Sequence, residues 1–324
     1  MYFLINKLKF WQLYADLNRL NSLKNKNAIY GICDMKAGRS SKTAEAAAAL
    51  RANHYLHSQE PIFSDPYALE LTSVVWRKLL SIPVLTNVMN SNLMNRSFGL
   101  LTAQVVARSR FTEDLLLQAI ENNIQQYVLV GAGLDSFVLR LAEKYPQLKI
   151  FEVDHPDTQK AKQAKLKKFG TVPSNVEFVA IDFEKERLFD ALARSSYKQD
   201  QAGFFSWLGT THYLTPQTTL ATLENIASFA APSSEVVMDY SIDFKQLKGI
   251  EKYGSFAVSQ FTRLLKEPLI GAFNSQNLHQ TVLKMGYEVL EDLSGNAITE
   301  RYFKDRQDHI RHTVATHLLH LRIM

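Results

Sequence analysis

From residue 126 onward, short apolar runs recur at intervals of about one helix. "QYVLVGAG" (126–133), "KIFEVDH" (149–155), "VEFVAID" (176–182), "AGFFSWLG" (202–209) and "EVVMDYS" (235–241) are nearly continuous in hydrophobicity and rich in β-branched or aromatic residues. Strands buried on both faces read this way, whereas a strand with one wet face alternates. Separated by helix-length segments, they predict an α/β fold with a mainly parallel, doubly wound sheet. Two further runs, "YEVLEDL" (287–293) and "HTVATHLLHLRIM" (312–324), are joined by a polar connection in which no helix is evident. That arrangement predicts a last strand inserted antiparallel to its neighbours. Residues 242–286 read as a helical insertion before the sixth strand.

Upstream of residue 126 the pattern is helical. "SSKTAEAAAALRANHYLHS" is alanine-rich with a Ser/Thr start, and "FSDPYALELTSVVWRKLLSI" offers Asp65 as a cap with Pro66 in the first turn. A third helix runs through "LTAQVVARSRFTEDLLLQAIENN". Near the start, Leu4, Leu8 and Trp11, then Leu13, Leu17 and Leu20, recur at helical spacing. Residues 1–34 are therefore expected to form a helical extension docked on the protein's own body. Residues 35–324 form one domain: a helical cap and entry (35–125), a ligand-binding core (126–241), the insertion (242–286) and the last two strands (287–324).

Composition narrows the function. The only cysteine is Cys33, which rules out an internal disulfide and multi-cysteine metal sites and suits a reducing cytoplasm. The first residues lack the uninterrupted apolar stretch and small-residue cleavage site of a signal peptide. No run reaches the ~20 apolar residues of a membrane span, so no stable membrane insertion is expected. The densest basic cluster, "KAKQAKLKKFG" (160–170), reads as a solvated helix face. It carries no interleaved aromatics for stacking bases, so no nucleic acid partner is expected. The histidines near the end, His309, His312, His317 and His320, have spacings that suit no metal site, and on a strand His317 and His320 point to opposite faces.

The chemistry-bearing residues fall at successive strand ends. Gly131 and Gly133 follow the first strand, where the missing Cβ atoms let backbone approach a ligand and a helix amino terminus would favour an anionic group. Ser136 replaces the third glycine of the dinucleotide pattern, which disfavours a pyrophosphate cofactor. Asp154 ends the second strand, where a ribose-binding carboxylate sits, with Glu152 on the same face. Asp182 ends the third, placed to accept from an adenine amine with Phe183 against the ring. Glycine, acid, acid along one sheet edge points to an adenosine-containing ligand.

The stretches "TAEAAAALRANHYLHSQEPIFSDPYAL", "ARSRFTEDLLLQAIENNIQQYVLVGAGLDS", "FEVDHPDTQKAKQAKL" and "FFSWLGTTHYLT" resemble the S-adenosylmethionine-dependent methyltransferases of the leucine carboxyl methyltransferase-like family. "DPYA", "ARSRF", "GAGLDS" and "EVDHP" carry the likeness, over about residues 42–214. It implies a seven-stranded class I methyltransferase sheet with an antiparallel last strand and S-adenosyl-L-methionine as cofactor. It assigns Arg108 of "ARSRF" to the cofactor's methionine carboxylate, with Arg110 a weaker candidate and Arg51 facing the carboxylate or the acceptor. A guanidinium suits that task because its planar fork matches a carboxylate.

Two departures stand out. Phe137 occupies a position where the family often has arginine, with Arg140 three residues later. Leu208 stands where protein-carboxyl methylating members carry a glutamate after the tryptophan of the fourth strand. The resemblance then implies methyl transfer to an oxygen, carboxylate or hydroxyl, of a small-molecule acceptor. A carboxylate needs no general base at neutral pH, whereas a hydroxyl does. His212 and Tyr213, after the fourth strand, are the catalytic candidates, with His212 as base. His155 reads as structural. The alternatives are a nicotinamide-dependent oxidoreductase and a non-catalytic binding protein that keeps the fold.

Overall fold

In a computed structural model of the chain, the described residues are 42–183, 185–243, 247 and 269–324. The expected extension at 1–34 lies outside them, as does most of the expected insertion. The described residues all belong to one unit, Lys36–Met324.

Among the described residues, eight strands form one sheet: β1 Gln126–Val130, β2 Lys149–Asp154, β3 Val176–Ala180, β4 Gly203–Trp207, β5 Glu235–Ile242, β6 Ala272–Phe273, β7 Tyr287–Leu293 and β8 Thr316–Ile323. The order is β3-β2-β1-β4-β5-β8-β7, with β1 to β5 parallel and β8 antiparallel to both β5 and β7. This is the class I methyltransferase arrangement with its last strand inserted backwards. The short β6 adds a strand within the segment expected to be helical, pairing Ala272 and Phe273 with Ser241 and Ile242 of β5.

The helices, in chain order, are α1 Lys42–His57, α2 Ala68–Leu71, α3 Val74–Leu80, α4 Pro83–Met89, α5 Asn92–Glu121, α6 Phe137–Arg140, α7 Pro156–Leu166, α8 Leu188–Leu192, α9 Pro216–Phe229, α10 Ser275–Lys284 and α11 Gly295–Tyr302. The sheet separates two apolar cores because alternate residues of a strand point to opposite faces. Tyr127 and Leu129 of β1 pack with Val106, Phe111 and Leu116 of α5. Val128 and Val130 pack on the other face with Phe205, Trp207, Met238 and Leu223. Every residue of β1 and β4 is buried, which is why their hydrophobicity is nearly continuous.

Three expectations need correction. Between β7 and β8 lies α11, which sequence reading left as a connection; Ser294 caps it by accepting from the Ala297 amide at 3.3 Å. Its one deeply buried apolar side chain, Ile298, is too little to create a readable stripe. Asp65 does not cap a helix, since α2 begins at Ala68 after Tyr67. Its carboxylate instead accepts from Arg51 Nε at 2.8 Å. The basic cluster is only partly a solvated face: Lys162 is buried against Glu152 at 2.6 Å, and Lys165 reaches Glu45 at 2.8 Å.

His317 and His320 do lie on opposite faces of β8, bonded to Asp292 and Glu235 respectively, each at 2.9 Å. Among the described residues, no group of three or more His, Cys, Asp or Glu is arranged to hold a metal ion. Among them, too, no helix is long and apolar enough to cross a membrane.

Candidate active site

The carboxyl ends of β1 to β5 converge on one edge, where ligands of open α/β sheets bind. After β1 the chain turns sharply. Gly131 and Gly133 have φ of +71° and +50°, a region that L side chains rarely adopt. A Cβ on Gly131 would stand 2.9 Å from the Thr210 methyl. The amides of Gly131 and Ala132 donate to Val153 O at 2.8 and 3.1 Å, tying the turn to the end of β2. The helix expected beyond the glycines is the single turn α6, too short to carry a useful dipole. The turn is fixed instead by Asp135 Oδ1, which accepts from the Phe137 amide at 2.7 Å. Arg140 is a structural residue, paired with Glu113 of α5 at 2.7 Å and lying over the Phe63 ring.

Asp154 Oδ2 accepts from the Gly133 amide, and Oδ1 from the His155 amide at 2.6 Å. Glycine turn and acid are thus one hydrogen-bonded unit. Burial pushes the Asp154 pKa up, and these two amides oppose the shift. His155 is structural, as expected: it caps α7, with Pro156 in the first turn. On the neighbouring strand end, Asp182 accepts from Lys185 Nζ at 2.6 Å, and Phe183 keeps 36% of its surface exposed.

A buried basic group at this edge is Arg108 of α5, whose Nη1 donates to Asp239 Oδ2 at 3.0 Å. Asp239 Oδ1 accepts from the Gly209 amide at 2.6 Å, and Oδ2 also meets His212 Nε2 at 3.0 Å. Asp239 is 1% exposed, yet Arg108 and His212 hold its carboxyl well below the usual range against the opposing effect of burial. Because the carboxylate only accepts, His212 carries its proton on Nε2, and Nδ1 faces Ser241 Oγ at 2.7 Å. Both ring nitrogens of the expected base are therefore engaged. Tyr213 sits half-buried on the same turn, its ring edge-on to His212.

Beyond Nη1, the N–H groups of the Arg108 fork make no hydrogen bond among the described residues. Arg110, the weaker candidate, is taken by Asp114 at 2.8 Å. Arg51 is also committed: besides Asp65, its Nη2 donates to Leu134 O at 2.6 Å, so it props the glycine turn from α1. Sequence reading missed Asp239. The signal was there, an acid inside the buried run Val236–Tyr240, where such residues are rarely found without a partner.

Gly209 (φ +74°) lets the guanidinium approach, since a Cβ there would lie 2.7 Å from Arg108 Nη1 and Nη2. Gly209→Ala is expected to displace Arg108 and to cost about 1–3 kcal/mol in backbone strain. Binding of S-adenosylhomocysteine should weaken by about tenfold or more, an effect of ~1.4 kcal/mol, readable by calorimetry beside a thermal melt.

The edge thus presents a backbone turn without Cβ atoms, a carboxylate held by two amides, and a guanidinium whose N–H groups beyond Nη1 make no hydrogen bond among the described residues. Residues 44–227 match the family model for leucine carboxyl methyltransferase. YktD of Bacillus subtilis (strain 168), named as a candidate S-adenosyl-L-methionine-dependent methyltransferase, is 29% identical over 302 residues, covering 88% of this chain and 99% of that protein. A similarly named protein of Mycobacterium marinum is 28% identical over 62% of this chain and 66% of its own length. In fold, the chain is similar to a DUF574 family protein from Streptomyces avermitilis, with a TM-score of 0.56 at 12% identity over 89% of this chain and 99% of that one. The chain belongs to the leucine carboxyl methyltransferase family, and it is an S-adenosylmethionine-dependent methyltransferase.

Proposed function

We propose that this methyltransferase places the methyl group on an oxygen of a small molecule, a carboxylate or a hydroxyl, by in-line displacement. The observation that carries the reading of the site is Arg108: a largely buried guanidinium against Gly209 whose N–H groups beyond Nη1 are unbonded among the described residues. In this reading Arg108 receives the methionine carboxylate, Gly131 and Gly133 pass the cofactor backbone, Asp154 accepts from the ribose hydroxyls, and Asp182 with Phe183 takes the adenine. Arg51 holds the turn rather than the ligand. When bound, the cofactor supplies an electrophilic methyl on a sulfonium. The chain's residues then have to align the acceptor and exclude water.

Leu208 directly follows the fourth strand and lines a small cavity with Phe63, Glu113 and Phe137. An apolar residue there favours a small-molecule acceptor over a protein carboxyl terminus. His212, with both nitrogens engaged, favours an acceptor already ionised at neutral pH, such as a carboxylate. A second reading rests on the same contacts: Asp239 orients His212, as an acid behind a catalytic base does, and Nδ1 would draw the proton of a hydroxyl acceptor in place of Ser241. Tyr213, on the same turn, would flank that acceptor. The lone Cys33 suits action in the cytoplasm.

Turnover on a panel of small carboxylic acids and phenols tests both. Methyl esters, a flat pH profile above the acceptor's own pKa and a His212→Asn variant within about tenfold of wild type support the carboxylate reading. A rising limb lost in His212→Asn, with a rate fall of about 10²–10⁴-fold, marks the hydroxyl reading. Transfer only to nitrogen or carbon acceptors contradicts both.

A further inference from the structure

Between Val74 and Leu101 the chain exposes six large apolar side chains: Val74 (56%), Ile82 (48%), Val84 (75%), Val88 (52%), Leu93 (62%) and Leu101 (45%). Their placement follows helical geometry. Val84 and Val88 are four residues apart on α4 and share a face, and Leu93 and Leu101 are about two turns apart on α5. Other positions of the same helices are already spent inward, with Trp76, Leu80, Thr86 and Asn95 buried. Val84 with Val88, and Leu93 with Leu101, thus present apolar surface in addition to what the core uses.

The charges of this stretch are one-sided. Residues 74–101 contain Arg77, Lys78 and Arg96 and no aspartate or glutamate. Arg77 leans on Glu70 at 3.3 Å, while Lys78 and Arg96 are exposed. A second cationic element adjoins. Lys165 donates to Leu71 O at 2.5 Å and to Glu45, whose other oxygen accepts from the Ser73 amide at 2.6 Å. Tyr67 and Phe169 meet edge to face at 5.4 Å. The end of the basic cluster is thereby docked beside Leu71–Ser73, the residues that lead into Val74. There Lys167 and Lys168 are exposed, with Phe169 exposed beside them.

We propose that this apolar, cationic face seats the enzyme reversibly on an anionic lipid surface. Val84, Val88 and Leu93 would enter the boundary between head groups and acyl chains, while Lys78, Arg96, Lys167 and Lys168 face the head-group phosphates. A second copy of the chain is the poorer occupant, because a two-fold contact would set cations against cations. A folded protein partner is poorer too: Val84 protrudes rather than lining a pocket, and none of the six is an aromatic anchor. The proposal is independent of the acceptor's identity.

The test is flotation of the full-length protein with vesicles of phosphatidylglycerol mixed with phosphatidylcholine, and of phosphatidylcholine alone. The expected result is recovery with the anionic vesicles, at least about tenfold less with neutral ones, and release in ~1 M salt, where screening falls to about 3 Å. Val84→Asp with Val88→Asp, and separately Lys167→Glu with Lys168→Glu, should each lower recovery at least about tenfold. Circular dichroism and thermal melts check that the fold survives these exposed changes, and the lysine pair decides if the valine pair fails to fold. Absence of anionic-vesicle binding, equal binding to neutral vesicles, or wild-type recovery of both variants overturns the proposal. So does a wild-type dimer in sedimentation that Val84→Asp with Val88→Asp dissolves while vesicles are ignored, which would show that a second copy covers the face.

Discussion

Arg108→Ala is expected to weaken S-adenosylhomocysteine binding by about 100-fold or more. Two charge-assisted hydrogen bonds at roughly 1.5–3 kcal/mol each are at stake, and 100-fold is ~2.7 kcal/mol. Arg108→Lys keeps the charge but not the fork, so it should recover only part of the loss. The same change strips Asp239 of one partner, leaving it with His212 and the Gly209 amide. Asp239 is held below its unfolded pKa of about 3.9, so its contribution to stability is present above that pH and is lost as pH falls through the folded value. Without Arg108 the folded pKa moves up, and acid unfolding should begin at a higher pH. Calorimetric titration and melts across the acid range read both effects. Unchanged affinity would place the methionine carboxylate elsewhere.

Lys162→Met should be the most damaging single change to stability, by about 3–5 kcal/mol, since it leaves Glu152 buried without a cation. The pair sits 1% exposed on both sides, and Glu152 Oε2 has no hydrogen-bond partner among the described residues. Burial raises the Glu152 pKa to about 7, and Lys162 only partly counters this. A raised carboxylate has the opposite sign to Asp239. Its contribution is fully present below the unfolded pKa of about 4.3 and declines as pH rises towards 7. In Lys162→Met the decline should extend to higher pH. Urea unfolding at acid, neutral and alkaline pH measures it, and adding Glu152→Gln should restore most of the loss. A single variant as stable as wild type at alkaline pH would contradict the account.

Much of the sheet was legible because burial on both faces leaves an unbroken apolar signature. The seven expected strands appear, and β7 at Tyr287–Leu293 has the expected bounds. The backward last strand was legible from the short connection before it, although α11 was hidden there for want of an apolar stripe. The two-residue β6 has no pattern of its own, since only its pairing with the end of β5 makes it a strand. The placement of Gly131, Gly133 and Asp154 at one sheet edge was legible in the same way, because glycines and acids stand out at apolar strand ends. What could not be read is which partner each cation chooses. Arg51, Arg108, Arg110 and Arg140 lie in similar helical or turn contexts, yet they reach Asp65, Asp239, Asp114 and Glu113 respectively. Asp65 to Arg51 and Asp239 to Arg108 are tertiary choices across 14 and 131 residues.

The most direct test of the central claim is a crystal structure with bound S-adenosylhomocysteine. The account predicts the ligand along the ends of β1 to β3, with both ribose hydroxyls on Asp154 and the amino-acid carboxylate on the free side of the Arg108 fork. A ligand carboxylate held by other groups, with Arg108 making no contact beyond Asp239, would contradict it.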